Sequence, residues 1–311
     1  MNQRDRYQGA LLGLAVGDAL GTTLEFRPPG TFAPVTDMVG GGPFGLEPGQ
    51  WTDDTSMALC LAESLVTCRG FDPGDQMRRY VRWYRNGYWS STGTLFDIGG
   101  TVQAALRRFE RDGNPFAGET HSGAGGNGSL MRLVPVPLAF ANAPTEAIRL
   151  AGDMSRTTHA APEPVDACRY YAALVLGALR GETKEQLLAP RYSPVPGVWE
   201  DAPLSPRIDA IAAGSFKVKQ PPQVRGTGYV VDALEAALWA FWRTDGYQAG
   251  ALAAVNLGDD ADTTGAIYGQ LAGAYYGLAG IPERWRSTIA LQERILGLAD
   301  ALLSLASSAP E

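Results

Sequence analysis

The chain has 311 residues, 45% hydrophobic and 19% charged, which excludes a disordered or fibrous protein. A chain of this length buries a core without disulfide staples. Its 33 acidic against 26 basic residues leave a net charge of −7, which disfavours non-specific binding to a nucleic-acid backbone but not a pocket for one anionic ligand.

Apolar residues recur at spacings of three and four over 5–20, 55–68, 75–86, 97–111, 129–141, 144–154, 163–180, 228–243, 247–255, 263–279 and 287–306. These segments are rich in Ala and Leu, and no alternating β-branched run supports a sheet. The expectation is an all-α, compact multi-helix fold, with residues 1–311 as a single domain. The Pro-rich stretch 181–227 reads as an irregular excursion over that domain rather than a linker. Residues 263–282 carry no charge over about a membrane's thickness, but five glycines and Gln270 favour a packed core helix. The segment after Tyr7 is broken by Gly13, Gly17 and Asp18, which argues against a signal peptide. Cys60, Cys68 and Cys168 lack C-x-x-C spacing and read as reduced core thiols of a cytoplasmic protein.

Two glycine ladders stand out. Gly9, Gly13, Gly17 and Gly21 fall every fourth residue, and so do Gly265, Gly269, Gly273 and Gly277. Residues four apart share a helix face, and each helical glycine costs about 1 kcal/mol relative to Ala. Four in a row imply that another backbone approaches that face, and the two ladders look like partners. Asp18, on the first ladder, is expected to anchor packing or hydrogen bonds.

Two acidic motifs open helices: Trp51-Thr52-Asp53-Asp54-Thr55-Ser56 and Gly258-Asp259-Asp260-Ala261-Asp262-Thr263-Thr264. Helix capping accounts for one or two acids at each start. A divalent cation accounts for adjacent acids followed by hydroxyl residues at both. If the two ends meet, four or five carboxylates share a small space and repel. Their oxygen donors, with no His or Cys nearby in sequence, suit Mg²⁺ or Mn²⁺ rather than zinc.

Together these segments resemble the ADP-ribosylglycohydrolase family, which includes the dinitrogenase reductase-activating glycohydrolases and the ADP-ribosyl-acceptor hydrolases. The resemblance covers nearly the whole chain. It runs through Gly13-Leu14-Ala15-Val16-Gly17-Asp18-Ala19-Leu20-Gly21, Trp51-Thr52-Asp53-Asp54-Thr55, Asp97-Ile98-Gly99 and Gly126-Asn127-Gly128-Ser129-Leu130-Met131-Arg132. Ser155, Thr158-His159 and Asn256-Leu257-Gly258-Asp259-Asp260-Ala261-Asp262-Thr263 complete it, with the glycine ladder to Gly277. The resemblance implies two Mg²⁺ or Mn²⁺ ions in a cleft at helix N-termini, held by Thr52, Asp53, Asp54, Asp260, Asp262 and Thr263. The family usually has Gly-Gly-Asp where this chain has Gly258-Asp259-Asp260, so Asp259 is expected to be a bystander.

The remaining candidates each have a plain structural reading beside the functional one. Residues 123–128 match G-x-G-x-x-G, but no strand precedes them, so a dinucleotide fingerprint is excluded. Backbone N–H groups of a glycine turn feeding a helix still suit a diphosphate. The resemblance makes Gly126, Asn127, Gly128 and His159 contacts for ADP-ribose; Tyr229 reads either as a stacking partner for the adenine or ribose or as a plain buried tyrosine at a helix start. Asp97 reads as an N-cap from sequence; the resemblance puts it near the scissile ribose and Glu25 at the cleft edge, and these two with Asp260 are the catalytic candidates. Relatives often continue Ile-Gly-Asn where this chain has Ile98-Gly99-Gly100.

The implied activity is metal-dependent hydrolysis of the glycosidic bond between ADP-ribose and an acceptor, with arginine on a protein favoured. Alternatives are O-linked ADP-ribose on serine or in O-acetyl-ADP-ribose, and ADP-ribosylated nucleic acid. A non-catalytic ADP-ribose-binding or crystallin-like protein of the same fold is the reading from another class. Prenyl-diphosphate chemistry is a second enzyme reading, disfavoured by Met57, which stands where its D-D-x-x-D spacing needs an acid. The expected partners are ADP-ribose and an ADP-ribosylated protein. The expected state is a monomer with no membrane contact.

Overall fold

Residues 1–121 and 123–308 are described by a computed structural model, so the expected span 1–311 is covered except for Ser122 and 309–311, which lie outside the described residues. The fold is all-α. Its helices are α1 (Gln3–Gly21), α2 (Asp53–Cys68), α3 (Pro73–Asn86), α4 (Gly100–Asp112), α5 (Pro135–Ala139), α6 (Pro144–Arg156) and α7 (Pro162–Arg180). Then come α8 (Lys184–Leu187), α9 (Val198–Asp201), α10 (Pro206–Ala212), α11 (Val230–Arg243), α12 (Tyr247–Val255), α13 (Ala261–Tyr276), α14 (Glu283–Thr288) and α15 (Gln292–Ser308). Extended pairing among the described residues is confined to isolated bridges.

The two ladders meet, as their spacing implies. Helices α1 and α13 run antiparallel, with Gly9 against Gly273, Gly13 against Gly269 and Gly17 against Gly265. At each rung an added Cβ would overlap the partner's carbonyl oxygen. The last rung sets Gly21 against Ala261 and Asp262. This pair is the centre of the core: α1 is buried from Tyr7 to Gly21 and α13 from Ala261 to Ala274. Helices α2, α7, α11, α12 and α15 pack around it. No helix among the described residues is long and apolar enough to cross a membrane.

Three expected helices differ. The span 129–141 contains only α5. Pro135 has no N–H for a helical bond back to residue 131, and Gln270 of α13 satisfies the backbone ahead of it. The Gln270 amide donates to the Leu130 and Met131 carbonyls and accepts from Val134 N–H at 2.8 Å. The glycine turn therefore feeds irregular backbone, not a helix. The expected helix 287–306 is split into α14 and α15. Leu291 takes φ +55°, and the loop before α2 holds the break: Ala290 N–H donates to the Gly49 carbonyl, and the Trp51 indole donates to the Ala290 carbonyl. Asp97 begins no helix, because α4 starts at Gly100 with Gly99 as its N-cap. Of the cysteines only Cys60 and Cys168 are buried, and Cys68 is exposed at the end of α2. The stretch 181–227 carries only short helices and lies against α7 and α11.

Gly17→Ala should destabilise the fold by about 3 kcal/mol, since its methyl meets rigid backbone. Gly297→Ala, exposed on α15 with open space around it, should stabilise by about 0.5–1 kcal/mol. Urea unfolding of both variants measures this, and equal effects would contradict the backbone contact.

Candidate active site and metal centre

The N-terminus of α2 is capped from another helix. Asp18 of α1, fully buried, accepts the Thr52 N–H at 2.9 Å and the Thr55 N–H at 3.1 Å. It also accepts the Thr52 hydroxyl at 3.0 Å and the Thr55 hydroxyl at 2.6 Å. Neither N-cap side chain, Thr52 nor Asp260, accepts a backbone N–H of the helix it precedes. Capping therefore does not explain the doubled acids of either motif.

Those acids converge instead. The Thr52 hydroxyl lies 3.1 Å from Asp54 Oδ2 and 3.2 Å from Asp262 Oδ2, which brings the two motifs into direct contact. Asp18, Asp54 and Asp262 each offer a carboxylate oxygen within 4.8 Å of the others. Glu25, Asp97 and Asp262 form a second such group, with Asp262 common to both. With Asp53 and Asp260, seven carboxyl groups share the site, and none enters an ion pair among the described residues.

Burial raises the proton affinity of every one of them, and their mutual repulsion adds to it for most. Glu25 is pushed up to about 12 by burial and by Asp262, Asp97 and Asp53. Asp97 rises to about 6 and Asp18 to about 6, both chiefly by burial. Asp53, Asp54 and Asp262 rise well above the usual carboxylate range for the same reasons. Without a cation, protons must neutralise this cluster. Two buried oxygens, Glu25 Oε2 and Asp54 Oδ1, have no hydrogen-bond partner. Unpartnered oxygens, hard donors and two acid groups sharing one residue fit divalent cations.

A cleft of about 490 Å³ opens onto this cluster. Glu25, Asp53, Asp97, Gly126, Asn127, Gly128, His159, Asp260, Asp262 and Thr263 all line it. Thr52 and Asp54 are not on its wall, and both are fully buried. The glycine turn is held to α11 by two backbone bonds, Asn127 N–H to the Gly228 carbonyl and Val230 N–H to the Gly125 carbonyl. The Asn127 amide donates to Asp260 Oδ2 at 2.6 Å, tying the turn to the second acidic motif. Tyr229, the N-cap of α11, faces an adjoining recess that shares Thr101, Gly126 and Gly228 with the cleft. Its hydroxyl donates to Glu163 at 2.6 Å and accepts from Arg207 at 2.6 Å.

His159 is buried, and burial, reinforced by Arg132, pushes its pKa down to about 3. Its tautomer follows from its neighbours. Arg132 donates to the Thr158 hydroxyl at 2.6 Å, so the hydroxyl hydrogen is free to point at His159 Nδ1, 2.8 Å away. Nε2 then carries the ring proton, beside Gly126 on the cleft wall. The sequence reading gave Arg132 no role, although a lone charge in the run Leu130-Met131-Arg132-Leu133-Val134 was a signal. It is fully buried, donates to the Gly128 carbonyl, and stacks over Tyr80 at 4.8 Å.

The family model for ADP-ribosylglycohydrolase matches residues 1–311. An ADP-ribosylarginine hydrolase, Tri1, of Serratia proteamaculans is 42% identical over 97% of this chain and 80% of that protein. The ADP-ribosyl-[dinitrogen reductase] glycohydrolase of Rhodospirillum rubrum is 33% identical over 97% of each chain. A solved structure described as an ADP-ribosylglycohydrolase-related protein complex superposes with a TM-score of 0.86 at 48% identity, over 98% of this chain and 99% of that one.

His159 is stabilised as the neutral ring. Its contribution to stability is complete above the ordinary histidine range and is lost as pH falls from about 6.5 towards its depressed value. Nitrogen NMR should show a neutral Nε2–H ring still present at pH 5. A titration near 6.5 would contradict the Arg132–Thr158–His159 relay.

Proposed function

The chain belongs to the ADP-ribosylglycohydrolase family, and we propose that it removes ADP-ribose from arginine side chains of a protein substrate. The observation that carries this reading is the convergence of both acidic motifs on one cleft that the glycine turn and His159 also line. The arginine preference is supported by the Serratia relative, whose name specifies ADP-ribosylarginine.

In this reading Thr52, Asp53, Asp54, Asp260, Asp262 and Thr263 hold two Mg²⁺ or Mn²⁺ ions, and the unpartnered oxygen of Asp54 is what such an ion would satisfy. When bound, the ions supply Lewis acidity that acidifies water and orients the ribose hydroxyls. The glycine turn, through the backbone N–H groups of Gly126 and Gly128 and the Asn127 side chain, holds the diphosphate and ribose together with the His159 Nε2–H. Tyr229 stacks beside the adenosine. Water attacks the anomeric carbon, the carbon–nitrogen bond breaks, and its electron pair leaves with the guanidine. Glu25 or Asp97 takes the proton released by the water. Asp260, fixed by Asn127, helps stabilise the oxocarbenium-like transition state with the other carboxylates. The protein is expected to act in the cytoplasm as a monomer.

In magnesium the protein should release ADP-ribose from an ADP-ribosyl-arginine protein, measured by chromatography. EDTA, or Asp53→Asn with Asp262→Asn, should cut the rate by more than the roughly 100-fold that loss of an outer partner costs a metal site. Release from serine adducts alone would replace the arginine reading. No release from arginine, serine or nucleic-acid adducts would favour a binding protein.

A further inference from the structure

Phe26 and Asp259 sit together on the cleft wall beside Glu25 and Asp97. Both hold left-handed backbone, φ +61° for Phe26 and +54° for Asp259, a conformation uncommon outside glycine and most so for a bulky residue. They are tied to each other across the two loops. Phe26 N–H donates to the Asp259 carbonyl at 2.6 Å, and Asp259 N–H donates to the Arg27 carbonyl at 2.8 Å. The fold thus fixes an aromatic ring and a carboxylate on the wall of the same cleft as the acid cluster, the phenylalanine in a conformation it rarely adopts.

What these two residues present is incomplete without a ligand. Phe26 is 65% exposed, an unusual state for a phenylalanine on a cleft wall. Phe44 packs edge-on against it, with ring centres 6.4 Å apart, and Phe96 backs Phe44 at 5.2 Å. Asp259 enters no ion pair among the described residues. Gly99 and Gly100 line the same cleft without side chains, with open space beside their Cα atoms. A planar, weakly hydrated cation that stacks on aromatic faces and pairs with a carboxylate suits this surface, and a guanidinium has those properties.

We propose that Phe26 and Asp259 form the subsite for the leaving group, stacking and neutralising the guanidinium of an ADP-ribosylated arginine. The proposal rests on the arginine reading above. Asp259, expected from sequence to be a bystander, becomes a determinant of acceptor specificity.

The test uses ADP-ribosyl-agmatine in magnesium, with kcat and KM from steady-state turnover and Ki for ADP-ribose from product inhibition. Phe26→Ala and Asp259→Asn should each lower kcat/KM about tenfold, which is what loss of one desolvated cation–aromatic or charge contact removes. Ki for ADP-ribose should move less than about twofold, the range of a neutral surface change. Phe26→Tyr should restore the wild-type value. Phe26 is exposed and Asn tolerates left-handed backbone, so both loss variants should fold. Variants that turn over the adduct like wild type would overturn the subsite while leaving the arginine reading intact. A matching rise in Ki would overturn it too, by showing a role in ADP-ribose binding. Wild-type protein inert towards the adduct would overturn the arginine reading and the subsite together.

Discussion

The site depends on a direct backbone contact. Helices α1 and α13 touch backbone to backbone, through glycine pairs at three rungs and through Gly21 against Ala261 and Asp262 at the last. That contact fixes two carboxylates that lie next to its rungs in sequence: Asp18 follows Gly17, and Asp262 lies three residues before Gly265. Asp18 then captures the start of α2 through four hydrogen bonds. Three helix termini far apart in the chain are thereby brought within one site. A methyl group at a central rung would move all three.

The arrangement has an electrostatic cost that the fold does not hide. Eight carboxyl groups, Asp259 included, sit in or beside the cleft, with neutral His159 and no lysine or arginine lining it among the described residues. Hydrogen bonds from Thr52, Thr55 and Asn127 relieve part of the repulsion. The N-termini of α2 and α13 favour the anions as well. Glu25 and Asp54 still keep unpartnered oxygens. A site built only for stability would replace such groups with apolar ones, so the cluster is best understood as a binding device. The glycine turn and His159 line the same cleft, so it combines carboxylate acceptors with polar groups of the turn and the His159 ring.

Much of this was legible in the sequence because helical periodicity carries it. Glycines four apart identified the buried face of α1 and of α13, and acids beside hydroxyls marked the helix starts that converge. What was not legible depends on contacts between segments. The capping of α2 by Asp18 joins residues 34 and 37 positions apart, and nothing local distinguishes it from self-capping. Gln270 and Pro135 turn an apolar run into irregular backbone, which periodicity alone reads as helix. The break at Leu291 is set by Gly49 and Trp51, far away in sequence. Cys68 looked like a core thiol until α2 ended there in solvent. Asp97 was placed on a helix because Gly99 and Gly100 gave no obvious start, and the chain begins α4 three residues later.

The account stands on the two acidic helix starts enclosing divalent cations together. The most direct measurement is anomalous diffraction from crystals grown in manganese. The account predicts strong peaks among the side-chain oxygens of Thr52, Asp53, Asp54, Asp260, Asp262 and Thr263. Carboxyl pairs that instead share protons at neutral pH, with manganese found only elsewhere on the surface, would contradict it.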